Sequence, residues 1–274
     1  MQCAHCQIKA SAQADTRWRA AADNIPDRAL DRRQLDARIG SMNQVGALTQ
    51  SASVTKTLLI TCAAVYLVQF VTRFIASGLL IKWGGFSAIL AWYEPWRFIS
   101  AGFLHSGLWH LIFNMMALYL FGQGLEPLIG HLRFGTIYIL SLLGGSLGTI
   151  ISGYFMVQDL FTMYVGASGA IFGLFGAIFV IQRRVDASNA GLIFLLVINF
   201  AFAFIEPNIA WQAHLGGLIA GALTMWIFLL TGSRQRPRKQ QRRINWIVAI
   251  SGFIGLFALS YAMMWLALGL VSFL

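Results

Sequence analysis

The sequence predicts an all-α protein that crosses a lipid bilayer several times, which makes it a polytopic helical bundle. Of its 274 residues, 58% are apolar and only 11% are charged, whereas a typical soluble domain carries about 25% charged residues. The apolar runs after Thr57 are continuous and supply seven helices, since each bilayer crossing takes roughly 20 residues. A membrane β-barrel would need strands of alternating apolar and polar residues, so we exclude that class.

Seven spans follow from the apolar runs. We place them at residues 57–76, 108–125, 134–157, 166–181, 191–205, 209–230 and 246–270. The predicted domains are a polar N-terminal segment at 1–55, a six-helix core at 56–231, a basic loop at 232–245 and a seventh transmembrane helix at 246–274. The connection between the first two spans is rich in aromatic residues, which are typical of the membrane interface. We expect an interfacial belt from Trp83, Trp92, Tyr93, Trp96 and Phe98.

Most of the 20 basic residues lie in four places: residues 1–56, Arg133, the pair Arg183 and Arg184, and residues 234–243. Cytoplasmic loops of membrane proteins carry an excess of Lys and Arg, so we predict a cytoplasmic N-terminus and an outside C-terminus. The basic charge therefore indicates topology, and no nucleic-acid partner is predicted. A bacterial inner membrane fits the short loops and the tail.

Three basic residues remain near the outer ends of the spans. They are Arg73, Lys82 and Arg97. Long basic side chains can keep their charge in water while their stems cover apolar surface. We therefore expect these three side chains to extend to the membrane interface.

The N-terminal segment contains Cys3 and Cys6, which have the spacing of half a zinc site. A closed zinc site takes four ligands, and the remaining cysteine, Cys62, falls inside the first span. We interpret the segment as a cytoplasmic tail with two reduced thiols and predict neither a metal nor a cofactor. A zinc protease of the H-E-x-x-H type is excluded because Leu111 follows His110.

Polar residues inside spans are the candidates for function, because lipid makes them costly. His110 and Asn114 share one face of the second helix, since they are four residues apart. Ser168 lies in a Gly-Ala-Ser-Gly sequence, and His214 lies in the sixth span. Interhelical hydrogen bonding and close helix packing are the alternative readings of these features. The spans offer no carboxylate relay of the kind that proton-coupled carriers need, which argues against a transporter.

Two pairs of glycines favour close contact between the fourth and sixth helices. Gly169 and Gly173 are four residues apart, as are Gly217 and Gly221. Such small-residue faces let helix backbones approach each other. The contact would bring the Ser168 hydroxyl within reach of the His214 imidazole, as in an activated nucleophile.

In this combination the chain resembles the rhomboid family of intramembrane serine proteases over residues 57–231. The motifs that carry the resemblance are Trp96-Arg97, His110-x-x-x-Asn114, Gly122-Gln-Gly-Leu-Glu126, Gly166-Ala-Ser168-Gly169 and Ala213-His214-x-x-Gly217-x-x-x-Gly221. The resemblance implies a protease that cleaves transmembrane segments of other membrane proteins within the bilayer. It implies no cofactor and leaves the oligomeric state open.

The resemblance also implies roles for single residues. Ser168 would be the nucleophile and His214 its general base, while His110 and Asn114 would line the oxyanion hole. Structural roles near the site would fall to Trp96 and Arg97 in the outer loop, to Glu126 at the inner end of the second helix, and to the motif glycines Gly166, Gly169, Gly217 and Gly221. The family often has a tyrosine four residues after the serine. This chain has Phe172 there, which can stack on an imidazole but carries no hydroxyl.

A second hypothesis is a non-catalytic rhomboid-like protein that binds client transmembrane helices. Both hypotheses predict helix binding. Only the protease hypothesis predicts that the purified protein cleaves a substrate, and that cleavage depends on Ser168 and His214.

Overall fold

The computed structural model describes residues 52–75, 77–185, 188–205, 210–233 and 235–271. Its long helices, labelled in chain order, are α1 (Ser53–Thr72), α2 (Leu108–Ile129), α3 (His131–Ser152), α4 (Ser168–Arg184), α5 (Ala190–Ile205), α6 (Trp211–Thr231) and α7 (Arg238–Val271). Cys3 and Cys6 of the N-terminal segment lie outside the described residues.

The predicted all-α membrane bundle is confirmed. In the part of the chain that the structure describes, four helices are long and apolar enough to cross a bilayer: α1, α3, α6 and α7. The seven long helices lie within a few residues of the predicted spans, except that α7 begins at Arg238, inside the stretch expected to be a loop. Lys, Arg and Gln are good helix formers, so the basic stretch continues the helix.

The helices alternate in direction, so the bundle has two distinct ends. We call the end that carries connections 73–107 and 153–167 the site end, because the predicted site residues Ser168 and His214 lie there. The opposite end carries Arg133 near the start of α3 and Arg183 and Arg184 at the end of α4, and we call it the basic end.

The centre of the bundle is built from α3, α4 and α6. In its most apolar stretch, α3 has 72% of its residues buried, against 11% for α1 and for α7. A Cβ atom on Gly217 would overlap the carbonyl group of Gly169, and one on Gly221 would overlap Gly173. The backbones of α4 and α6 therefore touch, which only residues without side chains permit.

The connection 73–107 folds into short helices at Leu79–Gly84, Ala88–Tyr93 and Arg97–Ser100 and a 3₁₀ turn at Ala101–Phe103. Trp83 and Tyr93 are exposed, as an interfacial belt requires. The expectation is wrong for Phe98, which is 1% exposed. Its ring packs between Phe86 and Phe257 of α7, at centroid distances of 5.1 and 5.2 Å, because α7 covers that side of the connection.

Arg97 does not extend to the interface, contrary to expectation, and is 3% exposed. Its guanidinium donates hydrogen bonds to the carbonyl oxygens of Gly85 at 2.6 Å and Lys82 at 2.8 Å, and it pairs with the Glu94 carboxylate. An arginine fork can satisfy several acceptors at once. The neighbouring Trp96 donates its indole N–H to the Trp83 carbonyl at 3.2 Å. These contacts fix the shape of the connection.

Glu126 joins three elements at the basic end and is fully buried. Its carboxylate accepts hydrogen bonds from the backbone N–H groups of Val54 and Thr55, both at 2.8 Å, and from the Thr55 hydroxyl at 2.6 Å. It also binds the His131 ring, which follows the turn at Gly130, where φ is +87°. The first N–H groups of a helix lack partners within that helix, so Glu126 caps α1.

We expect Glu126→Ala to lower the free energy of unfolding by about 3 kcal/mol, because it leaves buried N–H groups without an acceptor. Unfolding in detergent, followed by tryptophan fluorescence, measures the change. Thr57→Val is the control, since the Thr57 hydroxyl, among the described residues, bonds only the Ser53 carbonyl on the exposed side of α1. Equal stabilities of the Glu126→Ala and Thr57→Val proteins would contradict the capping role.

Candidate active site

Ser168 and His214 lie at the site end, on the helices that touch through glycine. Ser168 is the first residue of α4, and His214 lies in the first turn of α6. The Ser168 Oγ is 2.9 Å from the His214 Nε2. The imidazole is 7% exposed. A hydroxyl and an imidazole at this distance can exchange a proton, and this is how a serine becomes a nucleophile.

The position of Ser168 at the start of a helix adds an electrostatic effect. α4 has 17 residues, and its N-cap residue, Ala167, makes no side-chain capping hydrogen bond. The first N–H groups of a helix point outward without intrahelical partners, and the helix dipole makes this end partly positive. Negative charge that develops next to Ser168 is therefore stabilised by α4.

Phe172 holds the imidazole by stacking. Its ring lies one turn after Ser168, and its centroid is 4.1 Å from that of His214 with an angle of 8° between the planes. The His214 Nδ1 is buried and has no hydrogen-bond partner among the described residues. The orientation of the imidazole thus depends on the Phe172 ring and on the Ser168 hydroxyl.

Replacing Phe172 by alanine is expected to lower the turnover number about tenfold, because a stacked aromatic pair contributes roughly 0.5–1.5 kcal/mol and its loss frees the imidazole to turn. Phe172→Tyr keeps the stack and should stay within about twofold of the parent, on the same argument. The two variants are compared by their cleavage rates at saturating substrate. If Phe172→Ala cleaved as fast as Phe172→Tyr, stacking would have no part in orienting His214.

His110 reaches the site through the space left by Gly166. Gly166 has a φ of +131°, a conformation that favours glycine. A Cβ atom there would lie 2.8 Å from the His110 Nε2 and 3.6 Å from the Ser168 Oγ. The Gly166 N–H is bound to the Ala101 carbonyl at 2.9 Å. The His110 Nε2 and the Ser168 Oγ therefore both lie close to the position that a Cβ atom of residue 166 would occupy.

The hydrogen bonds of His110 indicate which ring nitrogen carries its proton. The Ser106 backbone N–H donates to the His110 Nδ1 at 3.4 Å, and the Ser106 hydroxyl lies 2.9 Å from the same atom. A backbone N–H can only donate, so Nδ1 accepts, and a neutral imidazole then has its hydrogen on Nε2. This assignment, inferred from the hydrogen bonds, aims a donor toward Ser168.

Asn114 lies one turn after His110 on α2 and is 6% exposed. Its side-chain amide donates a hydrogen bond to the His110 carbonyl at 2.8 Å. A carboxamide has a second N–H. Asn114 is thus hydrogen-bonded to His110 and not directly to Ser168.

A small cavity of about 50 Å³ borders Ser168. Side chains that line it include Ser146, Thr149 and Tyr164. A water molecule needs about 10–15 Å³ of such volume and two or more polar partners. The cavity is large enough for a few water molecules beside Ser168.

The other predicted site residues lie away from the dyad. Glu126 is at the basic end, and Arg97 and Trp96 are in connection 73–107. Arg97 is nevertheless linked to the segment before Ser168, because it binds the Gly85 carbonyl. The next residue, Phe86, pairs through both backbone groups with Tyr164, at 2.7 and 2.9 Å.

Two buried polar residues near the site, His105 and Asp159, were not predicted from the sequence. His105 is 1% exposed, its ring meets that of His110 edge-on at 5.2 Å, and its backbone is held by the Gln69 side chain. Burial lowers the pKa of His105 to about 4, so the ring is neutral. Both residues lie in connections, where polar residues are normally solvated. The sequence offers one indication that His105 lies near the site, namely its five-residue spacing from His110.

Comparisons with known proteins agree with these observations. The family described as "Rhomboid domain" matches residues 93–231, a range that contains the dyad. YdcA of Bacillus subtilis (strain 168), named as a candidate rhomboid protease, is 38% identical over 139 residues, which cover 49% of this chain and 67% of YdcA. RHOMBOID-like protein 6, mitochondrial, of Arabidopsis thaliana is 36% identical over 144 residues, or 50% of this chain and 45% of that protein. Rhomboid protease GluP of Bacillus subtilis (strain 168) is 34% identical over 142 residues, which cover 49% of this chain and 26% of GluP.

Proposed function

The chain belongs to the rhomboid family, and on this basis we propose that it is an intramembrane serine protease with Ser168 as nucleophile and His214 as general base. The observation that carries the proposal is the 2.9 Å contact between the Ser168 Oγ and the His214 Nε2. The substrates would be transmembrane helices of other membrane proteins. The names of the relatives YdcA and GluP, which refer to rhomboid proteases, support the same class of reaction.

In the proposed reaction, the His214 Nε2 takes the Ser168 proton while the Oγ forms a bond to a substrate carbonyl carbon. The resulting tetrahedral intermediate carries a negative oxygen. When it collapses, the C–N bond breaks, the imidazole gives its proton to the leaving amine, and an acyl-enzyme remains. Water then attacks the ester carbon, with His214 again acting as base and then as acid, which regenerates the Ser168 hydroxyl.

The negative oxygen of the intermediate needs hydrogen-bond donors that are already in place. The His110 Nε2–H, the backbone N–H of Ser168 at the start of α4 and the second N–H of Asn114 are the proposed donors. Gly166 supports this, because its lack of a side chain lets the His110 Nε2 lie close to the backbone beside the Ser168 Oγ.

Hydrolysis consumes water, which the hydrocarbon layer excludes. The dyad's place near the end of the bundle and the cavity lined by Ser146 and Thr149 support a wet site. We propose that the site end faces outward and the N-terminus lies in the cytoplasm, in a bacterial inner membrane. A transmembrane helix has its backbone groups paired internally, so cleavage requires local unwinding. Substrate helices with Gly or Pro near the scissile bond would unwind at the lowest cost.

The test uses the purified full chain in liposomes, with a fluorescent substrate whose transmembrane helix contains a Gly-Pro pair. We expect cleavage within that helix, and covalent labelling of Ser168 by a fluorophosphonate probe, which peptide mapping would locate. Absence of both cleavage and labelling in folded protein would overturn the proposal and favour a non-catalytic, helix-binding role.

A further inference from the structure

Asp159 is a buried carboxylate in the short helix Gln158–Phe161, between α3 and α4. It is 6% exposed. The carboxylate accepts hydrogen bonds from three side chains: the Ser152 hydroxyl at 2.5 Å, the Tyr164 hydroxyl at 2.9 Å and the Gln212 amide at 2.9 Å. These donors come from three separate parts of the fold, namely the end of α3, the segment before α4, and α6.

A carboxylate is expensive to bury unless its oxygens are hydrogen-bonded. None of the ion pairs formed by the described residues includes Asp159, so the three neutral donors provide its compensation. Hydrogen bonds to an ionised acceptor are roughly twice as strong as neutral ones. Burial raises the pKa of Tyr164, which keeps its hydroxyl protonated as a donor. Asp159 is therefore the acceptor at the centre of a tightly bonded cluster.

Two of the donors lie next to the catalytic dyad in the sequence. Tyr164 precedes Ser168 by four residues, and its backbone pairs with Phe86. Gln212 precedes His214 by two residues and lies in the same turn of α6. Asp159 thus connects the segment that leads to the nucleophile with the helix turn that carries the base.

The helix starts that carry Ser168 and His214 both follow an alanine. Ala167 before α4 and Ala210 before α6 make no side-chain capping hydrogen bond. Helix ends fray unless other contacts hold them, and the His214 ring has no polar partner at Nδ1 among the described residues. The contact from Gln212 to Asp159 therefore holds the first turn of α6 from outside the helix.

We propose that Asp159 is a positioning residue that fixes the distance between Ser168 and His214 by binding Tyr164 and Gln212 together. The inference rests on the proposed function. It assigns no chemical step to the carboxylate, which acts through its two neighbours. Ser152, the third donor, ties the cluster to α3 and has no link to either catalytic residue.

The central variant is Asp159→Asn, which keeps the size of the side chain but replaces one acceptor oxygen by a donor. We expect the turnover number to fall about 10- to 100-fold, since misplacing reacting groups by about 1 Å can cost 100-fold. The KM and the thermal midpoint should remain close to those of the parent protein. The rate of Ser168 labelling at saturating fluorophosphonate should fall in parallel, whereas a loss of stability alone would reduce only the folded fraction.

Tyr164→Phe and Gln212→Met each remove one hydrogen bond to Asp159. Together they test the positioning role if Asp159→Asn does not fold. Each should lower the turnover number, and adding either to Asp159→Asn should lower it little further, because residues acting as a unit are non-additive. Ser152→Ala is the matched control and should stay within about threefold of the parent.

Four results separate the possibilities. Full turnover in Asp159→Asn, or fully additive losses in the double variants, would overturn the positioning role while leaving the protease assignment intact. A decrease in Asp159→Asn that matches the loss of folded protein would also overturn it. An inactive parent protein would instead refute the proposed function, and this inference with it.

Discussion

Ser168→Ala is expected to lower the turnover number by at least about 10⁴-fold, and His214→Ala by a similar factor. Losing either the nucleophile or its base in a serine protease can cost about 10⁶ in turnover. The reason here is that the proposed attacking oxygen and its proposed proton acceptor form one hydrogen-bonded pair at 2.9 Å. Cleavage of a fluorescent transmembrane substrate in liposomes, with each variant checked for folding, measures the effect.

The double variant Ser168→Ala/His214→Ala distinguishes a working dyad from two unrelated residues. Because the two groups act as a unit, the double variant should be no slower than either single one. Ser251→Ala is a control, since this hydroxyl bonds the Ile247 and Val248 carbonyls within α7, on its exposed side. Ser168→Ala with parental activity would show that the nucleophile lies elsewhere.

His110→Ala is expected to lower the turnover number about 10²- to 10³-fold and to change the KM little, because one oxyanion donor typically contributes that much to the transition state alone. The Nε2–H of His110 faces the space beside Ser168. Steady-state kinetics over a range of substrate concentrations separates the two parameters.

The tautomer of His110 gives this prediction a finer test. Ser106→Ala removes a hydroxyl next to the His110 Nδ1 but leaves the Ser106 N–H in place. We expect a smaller decrease than in His110→Ala, and His110→Gln, which retains an N–H donor, should recover part of the rate. An increase in KM with unchanged turnover would mean that His110 binds substrate in the ground state and does not serve the oxyanion.

The sequence predicted those parts of the molecule that depend on helix periodicity. Apolar runs located the seven helices, because lipid demands long uninterrupted apolar segments. The four-residue glycine spacings predicted the contact of α4 with α6, and the structure places Gly217 against Gly169 there. Since Ser168 and His214 border those glycines, the spacing also predicted that these two side chains lie close together.

The irregular connections could not be predicted in the same way. Arg97 was expected to reach the interface, but connection 73–107 folds so that the carbonyls of Gly85 and Lys82 need donors. Asp159 binds Ser152 at the end of α3, and it also binds Gln212 of α6, which is 53 residues away in the sequence. No local pattern encodes such pairings, because they depend on where the connection lies against the finished bundle.

The aromatic ring of Phe172 contacts two neighbouring rings. One face covers the His214 imidazole, and Phe200 of α5 meets the same ring edge-on, with centroids 5.3 Å apart and planes at 73°. If α5 moved outward, Phe172 would lose its contact with Phe200, and the His214 imidazole would lose part of its restraint. The position of α5 and the restraint on the His214 imidazole are therefore coupled through one aromatic ring.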